Sequence, residues 1–276
     1  MVIALQAASR ESLAEAEVRL DSRVDAASGA ELGTLGEELF AVMRLLLAEP
    51  ALRRHLADPS VPAASRTRLA DQVFGQQLGR AALDTLSDLV SARWSRPADL
   101  IEAVEVLARR AVLGVAEKDG SLENVEDELF RFGRILNREP QLATLLADPM
   151  APAESRVGLL DRVLDDKVNP VTKALLEQTV RAPRGRPLDS AAEELAELAA
   201  ARRDRYVAHV STPVALTAAQ EQRLTDALSR LYGRSMSLQV ELDPSLLGGL
   251  VVRVGGEVID GSVSSKLSAA RRSLPK

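Results

Sequence analysis

The sequence predicts a mainly α-helical protein, in which two tandem copies of a six-helix-type bundle share a junction helix and a small α+β domain follows. A long internal repeat predicts the two copies, and apolar residues at helical spacing predict that each copy is helical. Alternating apolar residues after about residue 206 predict strands in the last part of the chain. We therefore expect a first helical copy over 1–100, a second copy over 101–206 and the α+β domain over 207–276.

The repeat is gapless and has a period of ninety residues. Residues 49–74 read EPALRRHLADPSVPAASRTRLADQVF, and residues 139–164 read EPQLATLLADPMAPAESRVGLLDRVL; 14 of the 26 aligned positions are identical. This period is longer than the ~20–50 residues of solenoid repeats. We therefore interpret the repeating unit as one duplicated domain.

The junction between the copies has the pattern of a single long helix. From about Pro97 to Asp119, apolar residues recur every three or four positions, and Gly120 is suited to end the helix because glycine tolerates a left-handed backbone. Such a helix would close the first copy and open the second, and would join them rigidly. The alternative is two shorter helices with a kink between them.

The last seventy residues combine helix and strand patterns. Thr217 opens a helix, with Gln220 at the capping-box position. Residues 236–242 alternate between apolar and polar, as in a strand with one buried face. Gly255 and Gly256 separate two β-rich runs and predict a hairpin, because two-residue hairpin turns need positive φ angles.

The composition excludes several classes of function. The chain has 276 residues, no cysteine and a formal net charge of −5, so disulfides and thiolate chemistry are absent. It has no basic stripe and few tyrosine or tryptophan residues, which argues against a nucleic-acid partner. The two histidines, His55 and His209, are too few for a histidine-rich metal site, and we interpret both as structural. No apolar stretch approaches the ~20 residues that cross a bilayer.

The glycine-rich C-terminal segment could suggest phosphate binding, but its pattern is unsuitable. A P-loop needs GxxxxGK[ST] between a strand and a helix, and Gly255-Gly256 has neither the spacing nor the lysine. An anion could bind where the Asp260–Ser262 turn opens a helix. We favour a plain turn in which Asp260 or Ser262 caps the helix. We identify no paired carboxylate or histidine for Asp260 nearby in sequence, so we expect no catalytic, cofactor or metal site.

Residues 243–267, DPSLLGGLVVRVGGEVIDGSVSSKL, resemble the C-terminal signature of the F-type ATP synthase delta (OSCP) family. In that family a Gly-Gly turn, an apolar strand, a glycine-containing hairpin and a Val-Ile-Asp-Gly-Ser turn lead into a final helix. Residues 105–205 also resemble the six-helix N-terminal domain of the family, and residues 1–100 look like a second copy of it. The signature positions that match, which we take as structural, are Gly248, Gly249, Gly255, Asp260, Gly261, Ser262, Lys266 and Leu267.

The resemblance implies a mechanical, non-catalytic function in ATP synthesis and hydrogen ion transport. The helical domain would bind the N-terminal helices of the α subunits, and the C-terminal domain would hold the b subunits of the peripheral stalk. Such a stator adaptor is part of a hetero-oligomer and keeps the catalytic head from turning with the rotor. It would lie at the cytoplasmic face of the bacterial cell membrane, peripheral through the complex, with no nucleic-acid partner and no direct membrane insertion.

The duplication itself resembles a variant of some bacterial lineages, which can be fused behind a membrane-anchored b subunit. Met1 starts this sequence and no anchor precedes it, so we expect a separate polypeptide. We expect the second copy to bind an α-subunit helix, and the first copy to lengthen the adaptor and contact the b subunits or a second α subunit. The alternatives are a generic helical scaffold unrelated to ATP synthase and an enzyme that uses the acidic residues and glycine-rich turns.

Three further side-chain expectations can be tested by a structure. Trp94, which aligns with Arg184 in the repeat, is either a core plug or a partner-facing anchor, and we favour the core. The pairs Glu193-Glu194 and Arg202-Arg203 lie in a helical pattern and are expected on solvated helix faces.

Overall fold

A computed structural model describes residues 5–165, 167–204, 207–232, 236–254 and 257–265. The chain forms two compact units that divide between Ala199 and Ala200. The first unit is helical, and the second contains the strands. The mainly helical fold with a small mixed sheet is the fold class that the sequence predicts.

Helices account for the regular structure of the first unit. Proline opens several of them, since a proline in the first turn loses no helical hydrogen bond. Ser28 caps α2 in a full capping box with Glu31. The helices are α1 Ala7–Ala26, α2 Gly29–Ala48, α3 Pro50–Ala57, α4 Ala63–Phe74, α5 Arg80–Ser91, α6 Pro97–Lys118, α7 Leu122–Arg138, α8 Pro140–Ala147, α9 Ala153–Leu164, α10 Pro170–Arg181 and α11 Leu188–Asp204.

Helix starts recur along this unit with the period of the repeat. The helices α3, α4 and α5 begin ninety residues before α8, α9 and α10, and α1 begins ninety residues before α6. We call residues 7–96 the first half of the helical unit and residues 119–199 the second half; α6 joins them. Two residues ninety apart are called equivalent.

The helix α6 is continuous from Pro97 to Lys118, as predicted, so the alternative of two shorter helices is wrong. It packs against α1, α2, α3 and α5 of the first half and against α7 and α10 of the second. Its contact with α2 is close, because a Cβ atom on Gly36 would lie 2.3 Å from Cγ2 of Val112. Both halves contribute to one hydrophobic core, which includes Leu39, Leu107 and Leu175.

A buried arginine ties α4 to the end of α5. Arg66 donates to the carbonyl oxygens of Ala92 at 2.9 Å, Ser91 at 3.3 Å and Val61 at 3.2 Å. The C-terminal carbonyls of a helix have no helical partner, so a buried guanidinium is well suited to them. The equivalent Arg156 repeats part of this contact through the carbonyl oxygen of Arg181 at 3.3 Å.

The second unit contains a four-stranded sheet in the order β2-β1-β3-β4. The strands are β1 Val207–Thr212, β2 Ser237–Leu242, β3 Val251–Val254 and β4 Glu257–Asp260, with α12 Ala218–Tyr232 between β1 and β2. β1 pairs parallel with β2, and the other pairs are antiparallel. β3 and β4 form the predicted antiparallel pair, although Gly255 and Gly256 lie outside the described residues.

One side of this sheet supplies the core of the second unit. Ala208, Val210, Val252 and Val254 are buried with Leu228 of α12. Thr217 donates through its backbone N–H to Oε1 of Gln220 at 2.9 Å, as the capping box predicts. In the described parts of the chain, no helix is long and apolar enough to cross a membrane.

Candidate interaction surfaces and the C-terminal signature

The signature glycines form a turn that only glycine suits. Gly248 and Gly249 have φ angles of 146° and 81°, which side-chain-bearing residues rarely adopt. A Cβ atom on Gly249 would lie 2.5 Å from the carbonyl oxygen of Gly261 and 2.9 Å from Cα of Ser262. The two turns are also hydrogen-bonded, from the N–H of Gly261 to Leu250 O at 3.0 Å. This part of the signature therefore joins two chain segments.

Asp260 and Ser262 organise the turn that follows β4. The buried Ser262 accepts a hydrogen bond from the N–H of Ser265 at 3.1 Å, so Ser262 caps the helical turn at 263–265. Asp260 accepts from the N–H of Ser262 at 2.9 Å. Hydrogen bonds from the hydroxyl and the N–H of Ser262 hold the pKa of Asp260 below its ordinary value. The capped turn thus uses amides that an anion would need.

The remaining candidate residues are three signature positions and the two histidines. Gly255, Lys266 and Leu267 lie outside the described residues. His55 and His209 are both exposed. Within the described ranges, no group of three His, Cys, Asp or Glu residues could hold a metal ion.

The first half of the helical unit has an apolar cavity of about 720 Å³. It lies where the end of α1 and the start of α2 face the start of α5. Its lining combines charged residues of α1, α2 and α5 with small or apolar residues, including Ala27, Ala30, Leu35, Gly79 and Ala81. Small side chains leave room in which apolar side chains of a partner can be buried.

Buried residues occupy two of the positions equivalent to the cavity lining, one on α10 and one on α6. The exposed Ala81 is replaced by the buried Val171, and the cavity residue Arg23 is replaced by the buried Leu113. A glutamate contact is kept in both halves, since Glu38 accepts from the N–H of Gly79 at 3.0 Å and its equivalent accepts from the N–H of Asn169 at 2.9 Å. Both halves therefore keep the glutamate contact between equivalent helices, whereas the side chains at the cavity positions differ.

A buried ionic cluster is centred on Glu105 of α6 and includes residues of the second half. Glu105 accepts hydrogen bonds from Arg109, Arg184 and Arg186. Burial alone would raise the pKa of Glu105, but these guanidinium groups outweigh burial and hold the pKa below its ordinary value. Glu102 lies 3.0 Å from Arg184, and Glu194 lies 3.6 Å from Arg186. Glu194 is thus part of a cluster and is not on the freely solvated face we predicted.

Trp94, the equivalent of Arg184, is buried in the core as we expected. Its indole Nε1–H donates to the carbonyl oxygen of Leu89 at 2.7 Å, so its one polar atom is satisfied. It therefore does not present an anchor to a partner.

The described residues present candidate docking surfaces, and several known proteins are similar to this chain. The family described as ATP synthase delta (OSCP) subunit matches residues 107–274. ATP synthase subunit delta of Parafrankia sp. (strain EAN1pec) is 47% identical, and the match covers 99% of this chain and 100% of that protein. The subunit delta of Frankia casuarinae is also 47% identical, with 98% and 99% covered. ATP synthase subunit b-delta of Mycobacterium sp. (strain KMS) is 44% identical; the match covers 98% of this chain and 61% of that protein.

Proposed function

We propose a working arrangement for this chain, which belongs to the ATP synthase delta (OSCP) family, a family of structural, non-catalytic subunits. The chain is a stator subunit of the F-type ATP synthase and links the catalytic head to the peripheral stalk. In our proposal its partners are the N-terminal helices of the α subunits and the b subunits, at the cytoplasmic face of the membrane. By holding both, it resists rotor torque while ATP is made.

In this arrangement the helical unit is two tandem six-helix bundles, α1–α6 and α6–α11. The recurrence of helix starts at ninety residues supports this, as does the packing of the continuous α6 against helices of both halves. Because the two copies share a helix, no flexible linker separates them. The boundary predicted near residue 100 therefore divides two copies that cannot move as independent domains.

We propose that an α-subunit helix binds in the apolar cavity of the first half. This cavity is the observation that most directly supports the proposal. An amphipathic helix docks by placing its apolar face into a groove between helices. Small residues such as Ala30 and Ala81 provide such a groove beside the buried Leu35. The second half would bind a helix from another α subunit, and the C-terminal unit would hold the b subunits. The Mycobacterium sp. (strain KMS) relative is named subunit b-delta, and this name supports a contact between the C-terminal unit and the b subunits.

Filling the cavity tests this function. Ala81→Trp on the full chain should weaken its binding to a synthetic N-terminal peptide of the α subunit at least about tenfold, since the indole takes the space of partner side chains. Isothermal titration calorimetry gives the affinity. Ala64→Trp is the matched control, because Ala64 is an exposed helical alanine of α4 away from the cavity lining. Equal affinities for both variants and the unchanged chain would reject the cavity as the seat.

Point variants are preferable to deletion of residues 1–95. The deletion removes α2 from the valines of α6, including Val112 and Val115. It would expose apolar surface, so lost attachment of the head could reflect unfolding of the second half. Circular dichroism of Ala81→Trp separates these causes, because the variant should keep the helical content of the unchanged chain.

A further inference from the structure

Two equivalent helix faces in this chain have different surroundings. On α2, Gly36, Phe40 and Arg44 follow one another at four-residue steps and so lie on one face. Gly36 contacts Ala108 and Val112 of α6, and Phe40 is only 3% exposed. Arg44 donates a hydrogen bond to the side chain of Gln178 on α10. This face of the first half is therefore turned toward the second half.

The equivalent face of α7 is open. Phe130, the equivalent of Phe40, is 51% exposed. Arg134, the equivalent of Arg44, is exposed and lies over the Phe130 ring, 6.0 Å from its centroid. No carboxylate of the described residues forms an ion pair with Arg134. The chain therefore presents an aromatic ring and an arginine side by side on a helix surface.

The neighbouring helix α8 and the turn after it expose apolar residues where the first half has polar ones. Leu145 and Met150, the latter in the turn after α8, are 56% and 88% exposed. Their equivalents in the first half are the polar residues His55 and Ser60. This part of the second half therefore exposes apolar side chains where the first half exposes polar ones.

We propose that the α7 face around Phe130 and Arg134 binds an amphipathic helix of another subunit of the complex. The helix places apolar side chains on Phe130 and a glutamine, glutamate or aspartate opposite Arg134. The covered face of α2 is the precedent, since there a helix supplies Gln178 to the equivalent arginine. This inference rests on the proposed function, and it locates the partner helix of the second half.

A second copy of this chain fits the face less well. In a head-to-tail assembly of copies, α5 of the next chain would take the place of α10, and Asp88 would take the place of Gln178. Asp88 is already paired with Arg23 at 2.6 Å and would have to leave that partner to reach Arg134. A different subunit with a free acidic or amide side chain would not have to break an existing ion pair to reach Arg134.

Photocrosslinking within the assembled complex tests the inference. With p-benzoylphenylalanine in place of Phe130, irradiation should join the chain to one helical segment of another subunit that carries an acidic or amide residue. The matched control places the probe at Arg131, an exposed position about 100° around α7, which should give at most a tenth of the product. No product from position 130, equal product from both positions, or a product between two copies of this chain would overturn the inference.

Charge reversal gives a second, independent measurement. Arg134→Glu should cut the crosslinked product from position 130 about tenfold, and reversing the facing acidic residue of the partner should restore it. Unchanged product in Arg134→Glu would reject the role of Arg134. Absence of the unchanged chain from the purified complex would instead contradict the proposed function, so the two failures are distinguishable.

Discussion

The equivalent helices α1 and α6 contain the same glutamate–arginine pair in different surroundings. On α1, Glu15 and Arg19 lie 3.1 Å apart, and their side chains are 60% and 45% exposed. On α6, the equivalent Glu105 and Arg109 are each only 4% exposed. The helix α1 lies at the start of the helical unit, whereas α6 has packed helices on both sides.

The difference shows how a duplicated bundle diverges while its helices keep their places. An exposed ion pair contributes little, but a buried one needs every charge compensated. Glu105 gains Arg184 and Arg186, and Arg184 stands where the first half has the buried Trp94. At this pair of equivalent positions, the first half therefore has a buried apolar side chain and the second half has a member of the ionic cluster.

Glu105→Ala should have the largest effect on stability. It leaves three guanidinium groups without their shared carboxylate and should lower the free energy of unfolding by about 3–5 kcal/mol. Glu15→Ala removes an exposed partner and should change it by less than about 0.5 kcal/mol. Urea unfolding followed by circular dichroism measures both. Similar losses in the two variants would show that burial does not determine how much each ion pair contributes to the free energy of unfolding.

Phe40→Ala and Phe130→Ala test the difference between the α2 and α7 faces. Phe40→Ala should cost about 3–5 kcal/mol, because it leaves a cavity in a packed core. Phe130→Ala should cost less than about 0.5 kcal/mol in the isolated chain, because the ring is half exposed. Chemical denaturation of the isolated chain gives both values. A large loss in Phe130→Ala would mean that this ring stabilises the fold and is not kept for a partner.

Gly36→Ala tests the close contact between α2 and α6. The added methyl would overlap Cγ2 of Val112, so we expect a loss of about 1–3 kcal/mol. Gly158→Ala on α9 is the control, since its Cβ would meet no atom within 4 Å. Alanine is the better helix former, so the control should gain about 0.5–1 kcal/mol. Thermal melting should therefore shift in opposite directions in the two variants.

The pH dependence of the ionic cluster should be the smallest effect. The pKa of Glu105 is held below its ordinary value of 4.5 in the folded chain, so the unfolded chain binds the proton more tightly. The stabilisation by Glu105 is then complete above the unfolded pKa and is lost as the pH falls through the folded pKa. Unfolding at pH 7 and pH 3 should show the difference between the unchanged chain and Glu105→Gln shrinking at the lower pH. A difference between the two proteins that is the same at pH 7 and pH 3 would contradict a lowered pKa of Glu105 in the folded chain.

The sequence predicted the elements better than it predicted the surfaces. Spacing alone located the continuous α6 and the pairing of β3 with β4, because both are set by local periodicity and turn chemistry. Glu194 and Arg202 were predicted on solvated helix faces, but Glu194 lies in the ionic cluster and Arg202 is buried. A charged helix pattern does not show which loops or helices cover it. The open α7 face was missed for the same reason: Phe40 and Phe130 are identical in sequence, and only packing distinguishes them.

A structure of the assembled catalytic head and stalk tests the central claim most directly. The account predicts an α-subunit helix in the cavity beside Ala30 and Ala81, and a second amphipathic helix on the α7 face at Phe130 and Arg134. In that structure the C-terminal unit should contact the b subunits. An empty cavity and an uncovered α7 face in a complex that retains this chain would contradict the account.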